Sequence, residues 1–427
     1  MHRKAAVLFL WLIVGMVLLN VNPLAAQVPW KSGLSQGRDL TVKLVTFGVG
    51  DDIPSYWGHT ALIVEDNHYH ISRIYNFGLY SFDDKMLLEF LMGRLIFSAG
   101  SSSVPGYLLY YKHQNRDVRL VTLNLPAQKR LDLAKKLEIS VLPENRDYLY
   151  HHYFNNCSTR LRDLIDQAVD GQFKKATSIP ARMTLRQHTI RYIARNPALE
   201  MALMYLMNDE IDRPELVWDE MFLPDELERQ VLKFSYIDSL GMKHKLAEDR
   251  FIFYKAHRPP VPEVPPRHWP YALLIGMLLG LLGTVIAYRF NKHFDYRWRI
   301  VYGTYNFLLG LLIGIPGLTL TFLASFTEHT VTYHNENLLM ANMITFLLIP
   351  VALALIVNKP WSFRWLKYLW YWQAAGGFLA VAIKILPCCD QNNYLVMAFI
   401  LPISFGLLAA SLLIDYRIKA MHREYVE

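Results

Sequence analysis

The feature that most constrains this chain lies beyond residue 268, where five long apolar stretches follow one another, at 269–288, 302–326, 338–357, 368–386 and 394–414. Each is close to the roughly 20 residues an α-helix needs to cross a bilayer, and glycines and prolines inside them, such as Pro316, Pro350 and Pro402, are tolerated in spans. The expectation is an all-α membrane domain of five transmembrane helices over 269–416, with a cytoplasmic tail at 417–427. The segment before it, HRPPVPEVPPRHWP, contains six prolines and predicts an extended linker over 257–268.

Charge orients the spans. Arg289, Lys292, Arg297 and Arg299 follow the first stretch, Lys359, Arg364 and Lys367 follow the third, and Arg417, Lys419 and Arg423 lie in the tail. The other two loops, TEHTVTYHNEN and PCCDQNN, carry no Lys or Arg. By the positive-inside rule the basic loops and the C-terminus are cytoplasmic. The first span then starts outside, as it must if residues 27–256 are exported.

The N-terminus agrees. Arg3 and Lys4 precede an apolar run at 5–19 and the small-residue exit Leu24-Ala25-Ala26, the pattern of a secretory signal over 1–26 cleaved before Gln27. An uncleaved anchor is the alternative. A mean hydropathy of +0.15 with 19% charged residues suits a soluble domain joined to a membrane domain. The net charge of +7 is read as loop asymmetry, so no nucleic-acid partner is expected.

Residues 27–256 read as an α+β domain. LTVKLVTFG has strand composition, GHTALIVED and HYHISRIYNFG read as two strands joined at Asp66-Asn67, and DVRLVTLNL as another. Helices are expected at DKMLLEFLMG, at PAQKRLDLAKKLEISVL, after Cys157, and at 183–194, 198–207 and 224–234. In the second of these Leu131, Ala134, Leu137 and Val141 mark the apolar face.

The chain has three cysteines, too few for a disulfide framework. Cys388 and Cys389 are adjacent, and Cys157 stands alone in HYFNNCSTRLRDLID. It falls at the start of a helix, with Ser158 or Thr159 as caps, where backbone N–H groups and the helix dipole should lower its pKa. A nucleophile needs a base. His59 is the best candidate: it opens a strand after Gly58, beside the aromatics Tyr56 and Trp57, and Asn76 on the neighbouring strand is placed to orient it. His68 and His70 compete for the role, whereas His151 and His152 lie too close in sequence to Cys157. On spacing alone, a free cysteine is more often an inert packing residue. Arg160 and Arg162 are read as salt-bridge partners of Asp163 or Asp166, and Asp212 and Arg213 as mainly structural. His329, Asn335 and Asn337 make the outer loop polar. They are read as solvated, or else as contacts to a lipid headgroup or substrate. No metal is expected there, since no acidic or cysteine partners accompany the histidines.

Taken together, WGHTALIVED, IYNFG and NNCSTRLRDLID resemble the exported domain of Lnb-type lipoprotein N-acyltransferases, bacterial membrane proteins known largely from Bacteroidota. EIDRPELVWDEMFLP, the loop with TEH and NEN, and the five spans are similar as well, so the resemblance covers nearly the whole mature chain. More distantly, the exported half resembles circularly permuted papain-like folds, the NlpC-type peptidases and lecithin:retinol acyltransferase relatives, in which His precedes Cys as here. Their Asn-Cys pair matches Asn156-Cys157, but Ser158-Thr159-Arg160 replaces the Glu-His-Phe of the retinol acyltransferase relatives. That departure leaves the third catalytic residue and the acyl donor open.

The resemblance implies a cysteine-dependent acyltransferase without cofactor, sited at the inner membrane. Cys157 is its nucleophile, His59 its base and Asn76 the orienting residue, with Asn156 in support. Tyr56, Trp57, His329 and Asn335 are the implied substrate contacts. A phospholipid is the implied acyl donor, a lipoprotein amine the acceptor. A cell-wall peptidase or amidase, a phospholipase and a non-enzymatic envelope scaffold are the rivals.

Overall fold

The computed structural model describes residues 28–80, 84–293 and 295–424; the signal-peptide reading of 1–26 lies outside them. The chain forms two compact units. One holds residues 28–80, 97–178 and 221–258; the other holds 84–96, 179–220 and 259–424.

The first unit is built on a seven-stranded sheet. Its strands are β1 (Leu40–Phe47), β2 (His59–Asp66), β3 (Ile71–Leu79), β4 (Ile96–Ser102), β5 (Val118–Leu123), β6 (Asp147–Leu149) and β7 (Ala247–Tyr254). They lie in the order β6-β4-β3-β2-β1-β5-β7. The β1–β2, β2–β3, β3–β4, β1–β5 and β5–β7 pairs are antiparallel. Both alternating sets of side chains in β1 and β2 are buried, Val45 and Ala61 as well as Leu44 and Leu62. Such a sheet is covered on both faces, which is why its strands read as continuous apolar runs.

Helices supply the cover. α1 (Val104–His113) packs Leu108 and Tyr111 against Val45, Phe47, Ala61, Ile63 and Ile74. α2 (Ala127–Ser140) packs on β1, and α3 (Cys157–Ala168) on β2 and β3. The buried face of α2 is Leu133, Ala134, Leu137 and Glu138, one step away from the stripe expected from Leu131. Glu138 is inside because it accepts the Tyr75 hydroxyl, which itself accepts the Trp30 indole N–H at 3.0 Å. A buried carboxylate needs such partners, and α2 turned to supply them. β4, α1, β6 and β7 were not expected from the sequence.

The second unit contains the helical C-terminal region. Three helices are long and apolar enough to cross a bilayer: Trp269–His293, Tyr296–Phe326 with a π-helical turn at Gly310–Gly314, and Tyr394–Ile414. The other two expected spans differ. Residues 338–347 are largely 3-10 turns rather than α-helix, leaving only Leu348–Ile356 helical. The break has a local cause. Asn342 turns its side chain onto Leu338 O (2.8 Å) and Ile344 N (2.9 Å), and such side-chain bonds compete with helix hydrogen bonding. Ser362–Ala382 has the length, but its first turns carry Arg364 and Lys367.

Segments that precede the proline-rich stretch also belong to this unit. The helices Leu185–Ile193 and Pro197–Leu206 do so. The stretch itself is extended but held rather than free. Arg191 Nε donates to Pro262 O at 2.6 Å, Arg195 to Pro259 O, and His268 pairs with Glu200 at 2.6 Å.

Candidate active site

The residues expected to carry chemistry converge at one end of the sheet. His59 opens β2 and stands opposite Phe47 in the ladder. Asn76 on β3 stands opposite Ala61, two residues along β2, so alternation puts His59, Ala61 and Asn76 on one face. The imidazole Nε2 donates to Asn76 Oδ1 at 2.6 Å, which assigns the proton to Nε2 and leaves Nδ1 as the basic nitrogen. Gly58 precedes His59 with φ +79°, and a Cβ there would stand 2.9 Å from Phe47 O. After Asn76, the β3–β4 pairing shifts register between Phe77 and Leu79, and Gly78 has φ +155° with its Cβ position 3.2 Å from His59 Cε1. Irregularities of this kind re-aim side chains at a sheet end.

Cys157 is the first residue of α3, and the loop before it is tightly drawn. His151 and Asn155 exchange two backbone hydrogen bonds of 3.0 Å. The cap is Asn156, not Ser158. Its Oδ1 accepts from Ser158 N (2.8 Å) and Thr159 N (2.9 Å), and Thr159 Oγ1 accepts from Asn156 N (2.8 Å), closing a capping box. Asn156 Nδ2 also donates to His152 O (2.6 Å) and Phe222 O (3.0 Å), and Ser158 Oγ donates to Met221 O (2.7 Å). The end of EIDRPELVWDEMFLP therefore pins the cysteine helix, a role sequence reading did not assign to it.

The sulfur lies within reach of the backbone N–H groups of Thr60, Ser158 and Cys157 itself, and feels the charge of Arg116. Thr60 is the neighbour of His59, so the sulfur is beside the start of β2. These groups favour a thiolate, but burial outweighs them and pushes the thiol up to about 11. The expected depression of the Cys157 pKa is thus reversed. Desolvation of the sulfur penalises the charged form by more than the helix-start amides and Arg116 favour it. Burial also pushes His59 down to about 4, helped by the Arg116 charge and opposed by Asn76. The pair rests as thiol and neutral imidazole.

Four tyrosines surround the sulfur: Tyr107 and Tyr111 from α1, and Tyr148 and Tyr150 from β6 and the loop after it. Burial raises the pKa of each, Tyr111 to about 12, and each also feels charge on Cys157. Tyr148 Oη is buried and has no hydrogen-bond partner among the described residues. Tyr111 stacks on Phe47 with ring centres 3.8 Å apart and lies nearly parallel to His59 at 6.1 Å. These walls are not the aromatics singled out in the sequence. Tyr56 and Trp57 are 6.3 Å apart, and Trp57 meets His152 edge-on at 4.5 Å. Tyr153 is buried against Phe222, and Phe154 is exposed. The clusters YLLYY and DYLY were the available signal.

The remaining candidates separate cleanly. His68 and His70 sit in the exposed β2–β3 turn, His70 with φ +53°. His151 Nδ1 accepts from Tyr153 N and Phe154 N, both at 3.3 Å. His152 is pushed down to about 3 by burial and has its Nδ1 3.4 Å from Tyr150 Oη. Arg162 pairs with Asp163 at 2.9 Å, whereas Arg160 donates to Asn155 Oδ1 and lies 3.9 Å over Tyr148. Asp166 bonds Lys174 N instead of an arginine.

His329, Asn335 and Asp212 belong to the second unit. Asn335 is 3% exposed, and Asn337 is fully buried. Their amides donate to the last carbonyls of the helix Pro197–Leu206: Asn335 to Leu206 O (2.9 Å), Asn337 to Tyr205 O (2.9 Å). Such terminal carbonyls need outside partners. Asn335 is therefore a helix-end anchor, not the expected substrate contact. His329 Nε2 donates likewise to Phe90 O at 2.9 Å near the end of Asp84–Leu91. His329, Asn335 and Asn337 thus serve helix ends. Asp212 forms a buried ion pair with Arg186 at 2.7 Å.

No curated protein and no solved structure matches the chain. Residues 26–196, which include His59, Asn76 and Cys157, match the family model of the Lnb N-terminal periplasmic domain. With three helices long and apolar enough to cross a bilayer, the chain fits a membrane protein whose N-terminal part is similar to the Lnb periplasmic domain.

Proposed function

We propose that this protein is a cysteine acyltransferase that moves an acyl chain from a phospholipid to the N-terminal amine of a lipoprotein. The observation that carries the reading is the half-buried, tyrosine-walled site around Cys157, with the Asn76-bound His59 at the same sheet end. The order of parts, His on β2, Asn on β3 and Cys at a helix start packed on those strands, is that of a permuted papain-like site.

The chemistry follows from the neutral resting pair. His59 Nδ1 takes the thiol proton as Cys157 Sγ attacks the ester carbonyl, so a free thiolate need not accumulate. The tetrahedral oxyanion meets backbone N–H groups near Cys157. Collapse breaks the ester C–O bond, His59 returns the proton to the leaving glycerol oxygen, and a thioester and a lysophospholipid result. The lipoprotein α-amine then attacks the thioester carbonyl. His59 accepts the amine proton, the C–S bond breaks, and the proton goes back to sulfur. An acyl chain lying against the tyrosine walls would disfavour water as the competing acceptor. Spanning helices on the same chain hold the domain at the surface where both lipids reside, raising effective concentration. Read as five spans, with the Ser362–Ala382 helix and the region around Leu348–Ile356 as the two irregular ones, the chain would have its basic loops and tail in the cytoplasm, by the positive-inside rule, as an inner-membrane protein.

The test is mass spectrometry of lipoprotein N-termini from cells with the protein, without it, and with Cys157→Ser. N-acylation is expected only in the first. Unchanged acylation in the Cys157→Ser strain would refute the proposal.

A further inference from the structure

Arg116 is a buried cation that the acyl-transfer scheme leaves without a task. It sits just before β5, only 5% exposed. Its Nε donates to Gly48 O at 2.8 Å, and its guanidinium lies 4.6 Å from the centre of the Tyr111 ring. Nη2 is buried and has no hydrogen-bond partner among the described residues. Gly48 follows Phe47, the ladder partner of His59, and Tyr111 stacks near His59, so the unpaired Nη2 lies at the same sheet end as His59. The nearest charges act on it in opposite senses, Asp52 as a carboxylate and Arg258 as a like charge, and neither hydrogen-bonds it. Asp52 is exposed and engaged by Ser55, and Arg258 is paired with Asp51 at 3.0 Å.

Leaving a guanidinium N–H unpaired in the interior is costly, and anions are its natural complement. The Arg116 charge reaches both Cys157 and His59. We propose that Arg116, through its unpaired Nη2, is an anion-recognition site beside Cys157 that takes the phosphodiester of the acyl donor once the donor displaces the tyrosine packing around it. This rests on the acyltransferase reading for the identity of the anion. A glycerophospholipid carries its permanent negative charge a few bonds from its ester carbonyls, so one contact both selects a charged donor and positions the ester. The same charge disfavours an ammonium and so admits the acceptor as the free amine.

Two experiments on the full-length protein in detergent separate this from the acyltransferase reading. In the first, Cys157 is alkylated with iodoacetate and with iodoacetamide and quantified by peptide mass spectrometry, with exposed Cys388 as internal reference. The anionic reagent is expected to be favoured at Cys157 by about tenfold relative to Cys388. Arg116→Gln removes the preference and Arg116→Lys keeps part of it. Equal preference at Cys157 and Cys388 in the unaltered protein overturns the proposal, and this needs neither a variant nor any transferase activity. In the second, acyl transfer from phosphatidylethanolamine vesicles is compared with transfer from a p-nitrophenyl ester. Arg116→Gln is expected to lower kcat/KM about tenfold more for the phospholipid, mainly through KM. Equal losses with both donors indicate a structural or oxyanion role and overturn the proposal. Protection of Cys157 by inorganic phosphate, without a donor-specific loss in the variant, assigns the site to free phosphate and overturns the lipid assignment.

Discussion

Replacing Asn156 with alanine removes four hydrogen bonds at the point where Cys157 enters its helix. Two are accepted from Ser158 N and Thr159 N, and two are donated to His152 O and Phe222 O. Loss of an N-cap costs about 1 kcal/mol. Each donated bond contributes about another 1 kcal/mol, and the site is buried, so water does not readily replace it. The expected destabilisation is about 3 kcal/mol, or roughly a hundredfold in the opening equilibrium of the first turn. Asn156→Ser keeps an acceptor and loses only the donated bonds, so it should lie between, near 2 kcal/mol. Hydrogen exchange by mass spectrometry on the full chain in detergent reads this directly in peptides spanning 156–168. Protection there should fall in the order wild type, serine, alanine, with peptides from Trp269–His293 unchanged. Protection at 156–168 that is indifferent to Asn156→Ala would refute the account of how Cys157 is held.

Four further outcomes are expected. The iodoacetamide rate at Cys157 should rise with a midpoint near pH 11, and a midpoint below pH 8 would contradict burial as the dominant influence. Gly78→Ala forces a side chain into φ +155° against the His59 ring; acyl transfer should fall more than tenfold while far-ultraviolet circular dichroism stays unchanged. His59 titrates near 4 folded and near 6.5 unfolded, so the unfolded chain binds the extra proton between those values. Stability should therefore fall as pH drops through that window, by up to about 3 kcal/mol from this group, and thermal melts of His59→Gln should show a shallower acid slope. Asn337→Ala leaves Met204 O without its amide donor and Tyr205 O with only the 3.2 Å bond from Asn335, at a buried helix end, and should lower the melting temperature by several degrees, with Cys157 alkylation unaffected.

What could be read along the chain is what depends on local pattern. Apolar length announced a membrane region, and alternation and turn residues located β1, β2 and β3. A glycine before His59 and a helix signature after Cys157 marked the site residues, because strand starts and helix starts have local chemistry. The capping residue was missed since Asn156, Ser158 and Thr159 are all competent caps. Only the loop geometry from His151 to Asn155 and the carbonyls of Met221 and Phe222 select among them. The thiol pKa went the other way for the same kind of reason: a helix start is a local feature, but desolvation of the sulfur depends on tyrosines contributed by α1 and by β6 and its following loop. Asn335 and Asn337 looked like free polar groups because nothing nearby in sequence needs them; the carbonyls they serve belong to residues 204–206. Arg116 was silent for the mirror reason, being one arginine among many until the fold buried it and left Nη2 without an acceptor. Sequence by itself determined β1, β2, β3 and β5, the apolar length of the membrane region, and His59 and Cys157 as the candidate pair. Tertiary structure decided protonation, anchoring and the open charge, because each is set by groups that only folding brings within a few ångströms.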